Sequence, residues 1–440
     1  MTVVTQVHGR RIWDSRGRPT VEVDITLADG SVGRGIAPAG ASMGSFEAVE
    51  LRDGGTRLGG YDVARAVGFV NTEVRALLVG QAIDDQALLD ARLTEADGTG
   101  NCARLGGNTV IATSLALLNA RAAALRRPLW RMLQATEDCS IPVPEIQIFG
   151  GGAHARGRCD IQDFLVVPCG AATYSQGLEW VAEVYLSAGR RLAARGQLQG
   201  VADEGGYWPS FTRNEEGVEE LTRAIEAAGF VAGRDVAIAL DAAATQWRRD
   251  GVYHWQLENR TFTVEALLDE YGRWLDRYPI VSVEDPVAED DIDAMGEFTR
   301  RFGDRIQVVG DDYLVTSAAR IEQAARAGVC NTVLIKPNQA GTVTATAAAV
   351  AAAKAAGYRF IVSARSGETE DTTMVHLALG WGADGFKVGS FTRSERMAKW
   401  NEMLRIEEAM GARARYRGMG PFRTAPRNPR APTAPLPAVA

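Results

Sequence analysis

Six charged residues of this 440-residue chain share one setting. Asp241 follows the apolar run VAIAL, Glu284 follows PIVSV, Asp311 follows IQVVG, Lys336 follows TVLI, Arg365 follows RFIVSA, and Lys387 lies within GFKVG. Three carboxylates at strand ends make a hard, all-oxygen site of the kind that suits Mg²⁺, which leaves its remaining positions to water and substrate. Histidine is too sparse near these segments for zinc. Any one such acid is more simply explained as the partner of a Lys or Arg. Three of them beside two lysines favour the metal. Lys336 and Lys387 would disfavour each other's protonation, and burial adds to that effect. One is then expected to be neutral enough to take a proton from carbon, while the other stays charged and holds a carboxylate. The stretch SARSGETED, from Ser363 to Asp371, adds Arg365 and Ser366 as a phosphate grip. Ala364 stands there where a larger polar residue is expected.

Further groups fit the same chemistry. VADEGGYW sets Asp203 and Glu204 before a glycine pair, and GGGAHARGRCDIQDF supplies His154, Gln162 and Asp163. A carboxyl among these is a candidate general acid toward a leaving hydroxyl. A lone histidine such as His154 is more often structural, and His8, His254 and His376 have no motif around them. The small-residue loop PAGASMGSFEA, Pro38 to Ala48, offers Ser42 as a hydroxyl for metal or phosphate and has the make-up of a closing loop. Loops of small residues are also common without any such role.

The elements that must position these residues follow from the spacing. Each apolar run is separated from the next by a helical stretch, such as AARIEQAARAG or TATAAAVAAAKAAG. Buried strands alternating with helices at this pitch imply parallel βα units. Six or more in succession favour a closed barrel, in which groups at the strand C-termini face one mouth. The six charged residues are therefore expected to meet. Residues 1–135 read instead as α+β. PTVEVDITL is a strand, ADG a turn into a second strand, and NTVIATSLALLNARAAALRR a long amphipathic helix. IPVP at Ile141–Pro144 marks a boundary, so residues 140–418 are assigned to the barrel. The Pro/Ala-rich segment 419–440 is expected to be disordered.

Composition narrows the function. A net charge of -7 disfavours nucleic-acid binding, which needs a basic face. No apolar run is long enough to span a membrane, and the N-terminus lacks the apolar core of a signal peptide. Five scattered cysteines without paired spacing point to a reducing cytoplasm. The constellation itself suggests a reaction class. Metal charge on a substrate carboxylate acidifies the α proton, a lysine removes it, and a carboxylic acid on the opposite face protonates a β leaving group.

Taken in order, WDSRGRPTVEVD, PAGASMGSFEAVELRDGG, VADEGGYWP, VSVEDP, VVGDDYLVT, LIKPNQAGT, RSGETEDT and RSERMAKWNEMLRIEEAMG make residues 1 to about 418 resemble the enolase family. The resemblance implies a small α+β domain followed by the enolase variant of the βα barrel, a homodimer or higher homo-oligomer, and two magnesium ions. It implies Asp241, Glu284 and Asp311 as ligands of the first ion and Ser42 of the second. Lys336 matches the base, Glu204 the general acid, and Lys387 the lysine that engages the substrate carboxylate. Arg365 and Ser366 match the phosphate binders, and His154 the mobile-loop histidine.

The departures cluster around the substrate. Ala364 replaces a histidine of the family pattern, Asp163 a glutamate after Gln162, and Gly150 an asparagine. Met43 replaces a threonine, and Gln246 a glutamate. On this basis three activities are expected in order. The first is an enolase relative that joins 2-phosphoglycerate to CMP-activated phosphonoformate, giving the carboxyphosphonoenolpyruvate of phosphinate antibiotic pathways in a pocket enlarged at Ala364. The second is ordinary dehydration of 2-phosphoglycerate. The third is a non-catalytic binding protein, which the preserved base and acids disfavour.

Overall fold

The computed structural model describes residues 2–41, 44–134 and 140–422. The chain opens as an antiparallel sheet of β1 (Val4–Trp13), β2 (Pro19–Leu27) and β3 (Val32–Ile36). The strand expected in PTVEVDITL is β2. Its turn is fixed by Gly30 at φ +85 and by Asp29 Oδ1, which accepts from the Ser31 N–H at 2.9 Å. The helix Gly107–Ala124 rests directly on β3. A Cβ on Gly33 would come within 2.0 Å of Ala120 N, and one on Gly35 within 2.2 Å of the Ala112 carbonyl oxygen, so both positions require glycine. This helix was expected to be amphipathic. It is buried along nearly its whole length, because helices of the barrel domain cover the face turned away from the sheet.

The second domain starts with the short strand β4 (Ser140–Ile141), followed by β5 (Val143–Gly150) and β6 (Asp163–Val167). A hairpin of β7 (Leu198–Val201) and β8 (Tyr207–Pro209) precedes β9 (Ala237–Asp241). A small meander, β10 (Arg248–Arg249), β11 (Val252–Trp255) and β12 (Arg260–Phe262), comes next. Then follow β13 (Ile280–Glu284), β14 (Gln307–Gly310), β15 (Thr332–Ile335), β16 (Arg359–Ser363) and β17 (Gly385–Ser390). A last short strand, β18 (Arg415–Tyr416), pairs in parallel with β4. Eight strands close a barrel in the order β5, β6, β9, β13, β14, β15, β16, β17, with β17 returning to β5.

One strand departs from the expected parallel pattern. β6 runs antiparallel to both β5 and β9. The segment between β5 and β6 contains a single short 3-10 turn, Gly152–Ala155, and no crossover helix. A parallel return needs a crossover, so the chain can only double back. β6 therefore presents its first residue, Asp163, at the mouth. After β6 the helix Tyr174–Ala194 leads back toward the mouth and Asn214–Ala227 leads away from it. The β7–β8 turn that carries Glu204 is thereby delivered to the same end.

The opposite end is closed by side chains. Val143, Leu165, Ala237 and Ala239 pack with Phe422. Gln307 Nε2 donates to the Pro421 carbonyl at 3.1 Å. Of the segment expected to be a disordered tail, Gly420–Phe422 forms a 3-10 turn here, and residues 423–440 lie outside the described residues. Helices outside the strands bury large aromatics. Trp274, fully buried, packs 5.5 Å from Trp255 and edge-on to Tyr271. Truncating it to Ala costs about 3–5 kcal/mol. Cys102, Cys159, Cys169 and Cys330 are buried free thiols, and Cys139 lies outside the described residues.

Candidate active site

The mouth gathers the expected residues. Asp241 and Glu284 end β9 and β13, Asp311 and Lys336 directly follow β14 and β15, Arg365 follows β16, and Lys387 lies on β17. All six are buried. One cavity is lined by His154, Glu204, Lys336, Ala364, Arg365 and Lys387, with Gln162, Asp163, Asp241 and Ser366 completing its wall. Ser42 and Met43 lie outside the described residues.

Two carboxylates share one amine. Lys387 Nζ is 2.7 Å from Asp241 Oδ2 and 2.7 Å from Glu284 Oε2. Gln162 Nε2 also donates to Asp241 Oδ2 at 3.2 Å, and its own Oε1 is held by Gln246 Nε2 at 2.8 Å. The glutamine that stands at 246 thus orients the Asp241 neighbour. On the far side, Lys336 Nζ is paired with Asp311 Oδ2, and Gln339 Nε2 donates to Asp311 Oδ1 at 2.9 Å. The end of β14 is fixed by Asp285, whose carboxylate accepts the N–H of Asp311 at 3.0 Å and of Asp312 at 2.8 Å.

The electrostatics correct one expectation. Neither lysine ends up depressed, although Lys387 does lower Lys336. Burial alone would lower both amines, but Asp311 raises Lys336, and Asp241 with Glu284 raises Lys387 well above the usual range. Each amine sits on an acid whose attraction outweighs the repulsion between the lysines. Asp311 is held below the ordinary carboxylate range in spite of burial, because of Lys336. Glu284 goes the other way: burial, then Asp241, push it well up.

The acid-bearing side of the cavity is built on His154. Its Nδ1 is 2.8 Å from Asp163 Oδ1, its Nε2 3.0 Å from Ser366 Oγ and 3.7 Å from Glu204 Oε1. Burial alone would lower the imidazole, but Asp163 and Glu204 raise it to about 9. At neutral pH it is an imidazolium that donates from both nitrogens. Asp163 is lowered by His154 despite its own burial. His154 is therefore a junction between the two acids and Ser366.

Several members of the site lie outside the residues singled out from sequence. Glu47, in the small-residue loop, holds the Arg365 guanidinium at 2.9 Å through Oε2 and accepts from Gln339 Nε2 at 3.2 Å. Burial alone would lower Arg365, but Glu47 raises it. Arg396, fully buried, donates to the carbonyls of Arg365 at 2.7 Å, Val388 at 3.0 Å and Ser366 at 2.5 Å. Glu145 on β5 is raised to about 7 by burial, and its Oε1 has no hydrogen-bond partner. The one advance signal for Glu47 and Arg396 was their place inside family-like motifs. Glu145 had none.

The donor set fits a magnesium ion. Asp241 and Glu284 converge closely enough for one cation to touch both, and Glu284 Oε1 is buried without a hydrogen-bond partner. Only hard oxygens are offered, as magnesium prefers. Among the described residues, two trios bring their ligating atoms within 4.8 Å of one another: His154 with Asp163 and Glu204, and Asp285 with Asp311 and Asp312. Asp241, Glu284 and Asp311 do not form such a trio, because two of them hold Lys387 and the third holds Lys336.

Comparison with known proteins matches this architecture. The model described as "Enolase, N-terminal domain" matches residues 4–133, and "Enolase, C-terminal TIM barrel domain" matches residues 138–425. Enolase 1 of Desulfitobacterium hafniense (strain Y51) is 47% identical across 96% of this chain and 97% of its own length. Enolase of Mycobacterium leprae (strain TN) is 45% identical across 95% of this chain and 97% of its own. No helix among the described residues is long and apolar enough to cross a membrane. The chain belongs to the enolase family of magnesium-dependent enzymes.

Proposed function

We propose that the protein removes water from 2-phosphoglycerate to give phosphoenolpyruvate, acting in the cytoplasm as a homodimer or higher homo-oligomer. The observation that carries this reading is the opposition within one cavity of an amine, Lys336, and an acid cluster, Glu204 with His154 and Asp163. Arg365 and Ser366 stand beside them for the phosphate, and Lys387 for the carboxylate. Asp241, Glu284 and Asp311, with Ser42 for a second ion, would hold magnesium. When bound, magnesium lends positive charge to the substrate carboxylate and acidifies the adjacent C–H.

Lys336 must be neutral to act, so Asp311 has to be engaged elsewhere when substrate is bound. The amine then takes the proton from C2. The C–H electron pair is first delocalised into the substrate carboxylate and, in a second step, becomes the C2–C3 double bond as the C3–O bond breaks. Glu204 gives a proton to the departing hydroxide, which leaves as water. Pairing a lysine base with magnesium is general to the enolase superfamily.

Formation of carboxyphosphonoenolpyruvate, placed first on sequence, finds no support in relatives of 45% and 47% identity that both carry the name enolase. Dehydration therefore takes precedence. The second reading keeps one observation in its favour: Ala364 lines the cavity between Ser363 and Arg365, where a histidine would fill space. Phosphorus NMR of the protein with Mg²⁺ and 2-phosphoglycerate, with and without CMP-activated phosphonoformate, separates the two. Rapid phosphoenolpyruvate formation from 2-phosphoglycerate alone is the expected result. A new carbon–phosphorus product without it would reverse the order, and no turnover under either condition would favour a non-catalytic role.

A further inference from the structure

Gln147 lies on β5, is fully buried, and touches both halves of the acid cluster. Its Nε2 donates to Asp163 Oδ1, the same oxygen that receives His154 Nδ1. Its Oε1 accepts from the Gly206 N–H at 2.9 Å. Gly206 is two residues beyond Glu204, and Glu204 Oε1 lies 3.7 Å from His154 Nε2. The contacts form a closed ring: Gln147, Asp163, His154, Glu204, and back through Gly206. Glycine makes the closure possible, because a Cβ at Gly206 would stand 2.4 Å from Gln147 Oε1.

We infer that Gln147 is a positioning residue that sets the spacing between Asp163 and the Glu204 turn, and so governs proton delivery to the leaving group but not proton abstraction. This rests on the dehydration reading above. A carboxamide is needed because one end must donate to a carboxylate and the other must accept from an amide. Asparagine is a methylene too short to span both. Glutamate would set a second carboxylate against Asp163. The length of Gln147 also answers the shortness of Asp163, which has one methylene fewer than the glutamate that the family resemblance implies there. Lys336 makes no contact with this ring among the described residues; the ring's link to the carboxylate side is Asp163 Oδ2, 3.9 Å from Lys387 Nζ, so C2 exchange is expected to feel the ring only weakly.

The test uses the full chain with Mg²⁺ and 2-phosphoglycerate in D₂O, comparing wild type with Gln147→Asn and Gln147→Met. Exchange of the C2 proton reports Lys336, and phosphoenolpyruvate formation reports the whole reaction. Dehydration is expected to fall about a hundredfold in both variants, with C2 exchange held within about threefold of wild type. The double variant Gln147→Asn/Asp163→Glu, which restores reach to the acid but not to Gly206, is expected to recover part of the loss. Equal falls in exchange and dehydration, or no recovery in the double variant, would overturn the inference. A substrate-free measurement separates it from the proposed function. Hydrogen exchange of the Gly206 amide should quicken about tenfold in Gln147→Met. Unchanged protection refutes the bridge even if wild type does not act on 2-phosphoglycerate. Quickened protection loss beside an inactive wild type refutes the dehydration reading while leaving the bridge in place.

Discussion

Glu47 of the N-terminal domain and Arg365 of the barrel form a buried ion pair across the domain boundary, with Oε2 2.9 Å from the guanidinium. The surroundings of Arg365 are thus assembled from both domains. Glu47 also accepts from the Gly44 N–H at 2.9 Å, so the same carboxylate shapes the chain at Gly44. Removing one partner of a buried pair leaves an uncompensated charge, which costs about 3–5 kcal/mol. Glu47→Ala is expected to lower the thermal midpoint and raise KM for 2-phosphoglycerate, while Glu47→Gln does both to a lesser degree. Calorimetry and steady-state kinetics check this.

Magnesium alone should stabilise the folded protein. At a hundred times its Kd, a ligand that binds only the native state adds about 2.7 kcal/mol. Thermal unfolding with and without Mg²⁺ is expected to show an upward shift that EDTA reverses. Asp241→Asn and Glu284→Gln should abolish the shift, since each removes an oxygen charge at the point now held by Lys387.

Lys336→Met should lose C2 exchange and dehydration together, by about 10²–10⁴. Its Mg²⁺-induced stabilisation should survive, because the proposed ligands are untouched. Retained exchange would move the base to another residue. Deuterium exchange followed by proton NMR decides this.

His154 gives a pH signature. Its ordinary value of 6.5 is raised to about 9, so the native state holds this proton more tightly than the unfolded chain. The resulting stability is present in full below pH 6.5 and is lost as pH rises through about 9. Titration of the His154 imidazole resonances should give a midpoint near 9 in wild type. In an Asp163→Asn variant the midpoint should fall, since Asp163 is the larger of the two charges holding it up.

Much of this site was legible because barrel geometry converts strand-end positions into neighbours. Asp241, Glu284, Asp311, Lys336, Arg365 and Lys387 needed only the alternation of apolar runs and helices to be placed together. The direction of β6 was not legible, because an apolar run reads the same in either sense and only the missing crossover helix betrays the reversal. Glu47 and Gln147 were harder to place: their partners are remote in sequence, Arg365 for Glu47 and Gly206 for Gln147, and no spacing marks either residue, although Glu47 lies within a family-like motif. The protonation of the lysines went astray because repulsion between them was weighed without the acid each one touches.

The reversal of β6 has a consequence for how this enzyme tolerates change. Asp163 stands opposite Asp241 in the β6–β9 ladder. A one-residue slip there would turn Asp163 out of the cavity and bring Phe164 in. Inserting a single residue after Asp163 cannot be absorbed, and the turn before β6 has little slack either, because it holds His154 against Asp163 and Ser366. Length variation among natural or engineered relatives should therefore be confined to the exposed residues 156–158 of that turn.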